Sequence, residues 1–468
     1  MSLPARRALI RRLLPACAVA VALAGLPACT IYHAAPLAGR EVEAVLAAPD
    51  RAELEHAAPL LQHPQLRPLR LDLGAPLSPD EVAVISVLAN PDLRALREQQ
   101  HVAEAQVFAS GLLPDPQLGF GRDRITGAPD ASYSASWAAS LALDVLGPLV
   151  TRGVELQAAR AHASRVRLDV AWAEWATAGQ ARLLAVRLYY QERAAVIAEA
   201  AAVVAQRALS RSLTAAGRRE LKADEIEIRR VAAAESAARA LAARRDAGAT
   251  HLELNRMLGF PPDAALALAP PSPLASWPGA DAAALFTAAR LSRLDLKALA
   301  AEYDNQEAVL HRAVLAQYPR LTLTLNRARD TSRVHTSGEA VNLDLPLWNR
   351  ARGSIRVASA DRSRLRAEYA ARLHQTRADI AMLVAALARD EQARQALAVQ
   401  APDLERIAAA YETAAKRGDV TAPAAEAARA AATDRSLALL AVEQACAEER
   451  MALALAAGQT LSDPEPGP

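Results

Sequence analysis

The sequence predicts a mainly α fold with a small β part, built as two copies of one unit whose long helices pack as coiled coils. Three observations lead there. Hydrophobic residues make up 52% of the 468 positions while aromatic ones make up only 4%. Much of the apolar share is alanine, which favours long helices packed closely together. Next, Asp92-Leu93-Arg94-Ala95-Leu96 recurs as Asp295-Leu296-Lys297-Ala298-Leu299, an offset of 203 (from 92 to 295). Finally, segments of about ten residues alternate between apolar and small polar side chains, the period of a β-strand. Net charge is +2, from 54 Lys plus Arg against 52 Asp plus Glu, which leaves no electrostatic footprint for nucleic acid. Collagen-like, disulfide-rich and highly charged disordered classes are excluded by the same composition.

Taken in order, Arg6, Arg7, Arg11 and Arg12 precede an apolar run from Leu13 to Ala24, the layout of a bacterial secretion signal. The run is too short to span a bilayer. Leu26-Pro27-Ala28-Cys29 then resembles a lipobox, with Pro27 where Ala, Ser or Thr is usual. Residues 1–28 are therefore expected to be a lipoprotein-type signal peptide, and Cys29 the site of lipid attachment. Cys17 leaves with the signal, so Cys446 stands alone as a buried, inert thiol and no intramolecular disulfide is available. Residues 29–79 read as an N-terminal extended segment.

The first repeat occupies residues 80–260 and the second 280–460, joined by a proline-rich crossover at 261–279 and followed by a flexible tail at 461–468. Each copy reads as a helix, two strands, a very long helix, a turn and a returning helix. The first helix is expected from about Pro79 to Leu113, and its counterpart from about Ala280 to Gln317. Pro116 and Pro319 end them, because proline disfavours a helical residue before it and cannot continue the ladder. The long helices are expected over about 151–213 and 351–416. In the first, Leu156, Ala159, Ala163, Val166, Val170 and Ala173 recur at spacings of three and four, a coiled-coil-like seam. Glycine-containing breaks at Ala216-Gly217-Arg218 and Lys416-Arg417-Gly418 turn each chain back. Leu143-Asp144 matches Leu343-Asp344, and Ala216 to Ala223 matches Ala415 to Ala422, which keeps both copies in one register.

Alternation is clearest in Tyr133, Ala135, Trp137, Ala139, Leu141, Leu143 and Val145. It recurs in Leu321, Leu323 and Leu325, in Val341, Leu343, Leu345 and Leu347, and more faintly in Leu118 and Phe120. Such a strand can face lipid on one side and water on the other, and a soluble half-buried hairpin shows the same pattern. No stretch after the signal reaches eighteen consecutive apolar residues, so no transmembrane helix is expected. Four strands cannot close a barrel, and open sheet edges are not tolerated in lipid. Strands that enter a membrane here must be pooled from several chains.

Asn90-Pro91-Asp92-Leu93, Leu113-Pro114-Asp115-Pro116 and Leu343-Asp344-Leu345-Pro346-Leu347-Trp348-Asn349-Arg350, together with the duplicated plan, resemble the TolC-type outer-membrane factors over about residues 80–460. The resemblance implies a homotrimer in which each chain gives four β-strands to a twelve-stranded transmembrane β-barrel, with the long helices forming a tunnel across the periplasm. It implies a passive exit duct in the outer-membrane lipid, served by a periplasmic adaptor protein and an inner-membrane pump of the resistance-nodulation-division type. Asn349-Arg350-Ala351-Arg352-Gly353, in place of a Gly-Gly pair, looks like the CzcC-like heavy-metal branch and favours heavy-metal cations over drugs as cargo.

Within that family the helix turns at the periplasmic end meet the adaptor and close the channel. By position these are Gly217, Arg218, Arg219, Glu220 and Asp224 in the first copy, and Lys416, Arg417, Gly418, Asp419 and Glu426 in the second. In a trimer each charge becomes a ring of three that can set ion preference or hold a constriction. Family members often place two acidic residues three apart after the second turn; Glu426 fits one and Pro423 occupies the other. Ordinary solvation of an exposed helix turn accounts for the same charges. No phosphate-cradling loop, nucleophile elbow or metalloprotease motif is present, so neither an enzyme nor a cofactor is expected. The scattered histidines, His56 and His63 among them, read as solvated surface and not as metal ligands. The alternative reading is a periplasmic lipoprotein whose coiled coil bridges envelope layers without a pore.

Overall fold

A computed structural model describes residues 32–37, 39–124, 135–144, 146–218, 223–271 and 281–458. The signal peptide, Cys29, Tyr133, Val145, the end of the crossover and the tail lie outside the described residues. The chain divides into two compact units, Met1–Ala47 and Ala48–Pro468. In the first unit, Gly39–Leu46 forms helix α1. All that follows concerns the second.

The segment expected to be extended is only partly so. Arg51–Ala57 forms α2, with the Asp50 carboxylate accepting from the Ala52 N–H at its start, and a 3-10 turn follows at Ala58–Leu60. An Asp N-cap is what lets so short a helix begin. Beyond it the chain runs extended and buries Leu66, Leu71 and Leu77. Leu77 pairs with the crossover, donating its N–H to the Ala267 carbonyl and accepting from the Ala269 N–H, both at 2.8 Å.

The first helix of each repeat is two helices, not one. In the first copy α3 spans Pro79–Ala89 and α4 spans Pro91–Gly111. Ser78 and Glu81 close a capping box at the start of α3, which satisfies two of its orphan donors. The break falls at Asn90 because Pro91 forces the residue before it out of helical geometry. Asn90 Oδ1 then accepts from the Leu93 N–H at 3.0 Å and restarts the helix. In the second copy α7 (Ala282–Ser292) and α8 (Leu294–Leu315) break at Arg293, whose φ of −64° and ψ of 123° nearly match those of Asn90 at −59° and 124°.

One device closes both repeats. Asn90 Nδ2 donates to the Met257 carbonyl at 2.9 Å, and Arg293 donates to the Ala456 carbonyl at 2.8 Å. Residues 257 and 456 are counterparts at the offset of 199 seen in the turns, and each lies in the last turn of a returning helix. Gly259 and Gly458 follow at φ 64° and 65°, the left-handed cap that glycine adopts without strain. A Cβ on Gly259 would lie 2.7 Å from the Ala89 carbonyl oxygen.

The long helices exceed their expected limits. Helix α5 spans Leu146–Gly217, 72 residues, and α9 spans Arg352–Arg417, 66 residues. Either is roughly 100 Å long at ~1.5 Å per residue. Helix α5 starts early because Pro148 sits in its first turn, where a missing N–H costs nothing, and Asp144 accepts from the Gly147 N–H at 3.0 Å. The returning helices are α6 (Ala223–Met257) and α10 (Ala422–Ala457). Helix α5 packs on α3, α4, α6, α8 and α10, while α9 packs on α7, α8 and α10.

Of the expected seam in α5, only Ala163 and Val170 are buried. Burial is instead densest from Trp175 to Tyr190, where the N-terminal segment, α3 and α10 cover the helix. Leu54, Leu71, Leu77, Ile85, Leu184, Leu188, Leu254 and Leu258 form the largest core cluster, each side chain contributing roughly 2 kcal/mol. Ile380, Leu387, Cys446 and Leu453 form a second cluster against α7. Cys446 is buried as expected, and that burial pushes its thiol up to about 11. His63 is not solvated surface: its side chain is 1% exposed and its Nε2 lies 2.9 Å from the Ala171 carbonyl, tying the N-terminal segment to α5.

Strands β1 (Gln117–Asp123), β2 (Ser136–Asp144), β3 (Arg320–Arg329) and β4 (His335–Asp344) form one antiparallel sheet in the order β1-β2-β3-β4. The two hairpins are thus joined through β2 and β3, with Leu141 opposite Leu325. Leu345 and Leu347 were expected to continue β4 but lie beyond it. Pro346 has no N–H to give the ladder, and Leu347 instead donates to the Leu345 carbonyl at 2.8 Å.

Candidate functional site

Two regions bear on function: the turns at the helix ends remote from the sheet, and the sheet itself. At the second turn, α9 ends on Arg417 and Gly418 takes φ 85°. The Gly418 N–H donates to the Ala415 carbonyl at 3.2 Å and the Asp419 N–H to the Ala414 carbonyl at 3.0 Å. These two bonds satisfy orphan carbonyls at the helix end, so the glycine is there for the turn. Lys416, Arg417 and Asp419 are exposed. Thr421 precedes α10 and Pro423 lies in its first turn, where it is tolerated.

At the first turn, Gly217 and Arg218 are exposed, and Asp224 lies in the first turn of α6 where the helix dipole favours a negative charge. Arg219 and Glu220 lie outside the described residues. Glu426 is the candidate that the fold draws into a contact: its Oε2 lies 3.0 Å from Arg229 Nε on α6. A second bridge between the same two helices joins Arg239 to Asp434 at 3.1 Å. On the second hairpin, Arg429 ties α10 to α9 through Glu412 at 2.6 Å and through Glu405. The Arg429 guanidinium, with burial opposing it, holds the Glu412 carboxyl below its ordinary range.

Sequence reasoning found Glu426 but missed Arg229, Arg239, Asp434 and Arg429. Helix α6 also carries Arg230, Arg244 and Arg245, and nothing in spacing alone selects which arginine meets the other hairpin.

The sheet offers one aliphatic face. Residues directly opposite in an antiparallel pair point the same way, so Leu118, Leu141 and Leu325 share a face with Leu143, Leu323 and Val341, and with Leu321 and Leu343. Leu118, Leu325, Val341 and Leu343 on that face are exposed. The opposite face is small and polar, with Gly119, Ser140 and Asn326 in one row and Thr324 opposite Ala340 in the next. Strands β1 and β4 end the sheet, each pairing on one side. Among the described residues no helix is long and apolar enough to cross a membrane, and none of their His, Cys, Asp and Glu side chains gather into a metal-holding group.

No family model matches the sequence, and no curated protein matches it. Solved structures do. The CmeC outer membrane channel of Campylobacter jejuni superposes with a TM-score of 0.68 at 15% identity, covering 82% of this chain and 87% of that one. The open-state MtrE outer membrane channel of Neisseria gonorrhoeae gives 0.67 at 17% identity, covering 81% and 89%. The chain has the fold of these outer-membrane channels. The outer membrane protein VceC of Vibrio cholerae adds a third match, with a TM-score of 0.61 at 16% identity, covering 82% and 97%. In this channel fold the long helices and the four-stranded sheet sit at opposite ends of one duplicated plan.

Proposed function

We propose that the chain forms the passive exit duct of a tripartite efflux system in the bacterial outer membrane, lipid-anchored at Cys29 and reaching into the periplasm. The observation that carries this reading is the sheet: four strands with both outer edges open, one exposed aliphatic face, and direct continuity with helices of 72 and 66 residues. Open edges are not tolerated in lipid. Three copies would pool twelve strands and close a barrel of ordinary size, and the helices would extend it as a tunnel.

An inner-membrane pump of the resistance-nodulation-division type supplies the energy, and a periplasmic adaptor docks at the helix turns around Arg218 and Arg417. Asn349-Arg350-Ala351-Arg352-Gly353 supports heavy-metal cations over drugs as cargo, which an open conduit passes without coordinating them. The deciding measurement is the native mass of the protein extracted in detergent from isolated outer membranes. Three chains are expected. A monomer, or release without detergent, would leave the envelope-bridging coiled coil as the better account. Cargo is tested by comparing heavy-metal and drug tolerance of cells with and without the chain; greater loss of metal tolerance is expected.

A further inference from the structure

The register runs unbroken across all four strands at the end of the sheet furthest from the helices. Arg122 pairs with Trp137, Trp137 with Arg329, and Arg329 with His335. These four side chains form one row, four residues along each strand from the row of Leu118, Leu141 and Leu325, and therefore on the same face. Between the two rows lie Phe120, Ala139 and Arg327. The face that is aliphatic near the helices thus becomes cationic and aromatic at its far end.

Three guanidiniums stand there: Arg122, Arg327 and Arg329. No ion pair or side-chain hydrogen bond joins any of them to another described residue. Arg329 Nε is buried without a partner, while the Trp137 and His335 rings meet edge to face at 6.4 Å. Arg122, Trp137 and Arg329 also line one shallow pocket with Phe120. The nearest acid on this face, Glu339, sits inward in the Leu325 row and forms no ion pair with Arg327.

Unpaired arginine on the lipid face of a barrel strand costs ~2–4 kcal/mol at the bilayer centre and ~0–1 kcal/mol near the interface. The row therefore marks where the apolar band ends, and Trp137 stands at the level that interfacial aromatics prefer. Adjacent strands lie ~4.8 Å apart, which puts the backbones of Arg122 and Arg329 roughly 10 Å from each other. Two long side chains can close on one phosphate from that separation, and the guanidinium fork matches phosphate oxygens in pairs. We propose that Arg122, Arg327 and Arg329 bind the phosphate groups of lipid headgroups in the outer leaflet. The inference rests on the reading of this sheet as membrane-spanning.

The test is native mass spectrometry of the full-length, detergent-extracted protein offered bisphosphorylated lipid A or phosphatidylcholine. Wild-type protein should retain lipid A in preference to phosphatidylcholine. Arg122→Gln/Arg327→Gln/Arg329→Gln should lower lipid A retention about tenfold, with phosphatidylcholine unchanged. Should that variant fail to assemble, Arg122→Gln alone, on the outermost strand, should cost about threefold. Equal retention by the Gln variants would overturn the proposal, as would complete displacement of lipid A by millimolar inorganic phosphate, the mark of a free-anion site. Wild-type protein with the mass of three chains but no preference for lipid A would overturn this inference and leave the duct standing. Protein released from membranes without detergent would overturn both.

Discussion

At position 90 the side chain that closes the first repeat is a neutral amide; at 293, its counterpart, it is a guanidinium. Both reach a carbonyl in the last turn of a returning helix, but Arg293 also pairs with Asp295 at 2.7 Å and stacks 4.6 Å above the Trp172 ring. Asp295 is buried in consequence, whereas its repeat partner Asp92 is exposed. Arg293→Ala leaves that carboxylate only Arg372, at 3.8 Å, and should cost about 3 kcal/mol, read as a lowered thermal midpoint in detergent. Asn90→Ala removes a cap and a buried bond and should cost about 2 kcal/mol. The Asp92 and Asp295 motif was plain in the sequence. What Asn90 and Arg293, two residues before each, touch was not, because the partner carbonyls at 257 and 456 lie 167 and 163 residues away and a carbonyl leaves no trace in residue identity. The turn residues behave likewise: Glu426 was legible as an acid after a turn, and its contact with Arg229 was not. If that bridge holds the hairpin tips together, Arg229→Ala/Glu426→Ala should raise single-channel conductance in planar bilayers about twofold. Unchanged conductance would show that the tips are held by something else.

Among the elements, those set by short-range rules were read best. The first helices stop at Gly111 and Leu315, short of the prolines at 116 and 319, whereas Gly418 turns α9 at φ 85° because glycine acts on its own backbone; Gly217 ends α5 without a positive φ. Both breaks went unread, at Asn90 although Pro91 follows it and at Arg293, where no proline follows and the second copy keeps the bend without that local signal. The seam in α5 gave the right period but the wrong stretch of burial, because the cover over Trp175 to Tyr190 comes from α3, α10 and the N-terminal segment together, and the apolar residues of that segment follow no helical or strand period. Helices α9 and α10 add a pH response. Burial, and then the facing Asp390 carboxylate, push the Glu449 carboxyl up to about 7, against the opposing charge of Arg389, and Glu449 Oε2 is buried without a hydrogen-bond partner. The folded chain therefore holds a proton that the unfolded chain releases at about 4.5. Stability should fall as pH rises from about 4.5 to about 7 and then level off. Glu449→Gln should flatten that slope and raise the thermal midpoint at pH 8; a wild-type midpoint constant over this range would count against the pairing.

For the whole molecule, the sequence showed two copies and four strands, and the fold agrees in both. It did not show that β2 and β3 join the hairpins into one sheet, since strand partners from different repeats are about 180 residues apart. Detergent extracts should contain particles of three chains that conduct ions in planar bilayers, and mixing tagged with untagged chains during synthesis should yield mixed particles. The open edges of β1 and β4 have a genetic meaning as well. A chain whose strands cannot pair would not merely be lost; it would leave a gap in every particle it joined. With equal amounts of normal and defective chains, about one particle in eight would be free of the defect under random threefold assembly. Mutations that disturb the sheet edges should therefore act dominantly over the normal gene, while mutations that prevent the chain from folding at all should be recessive.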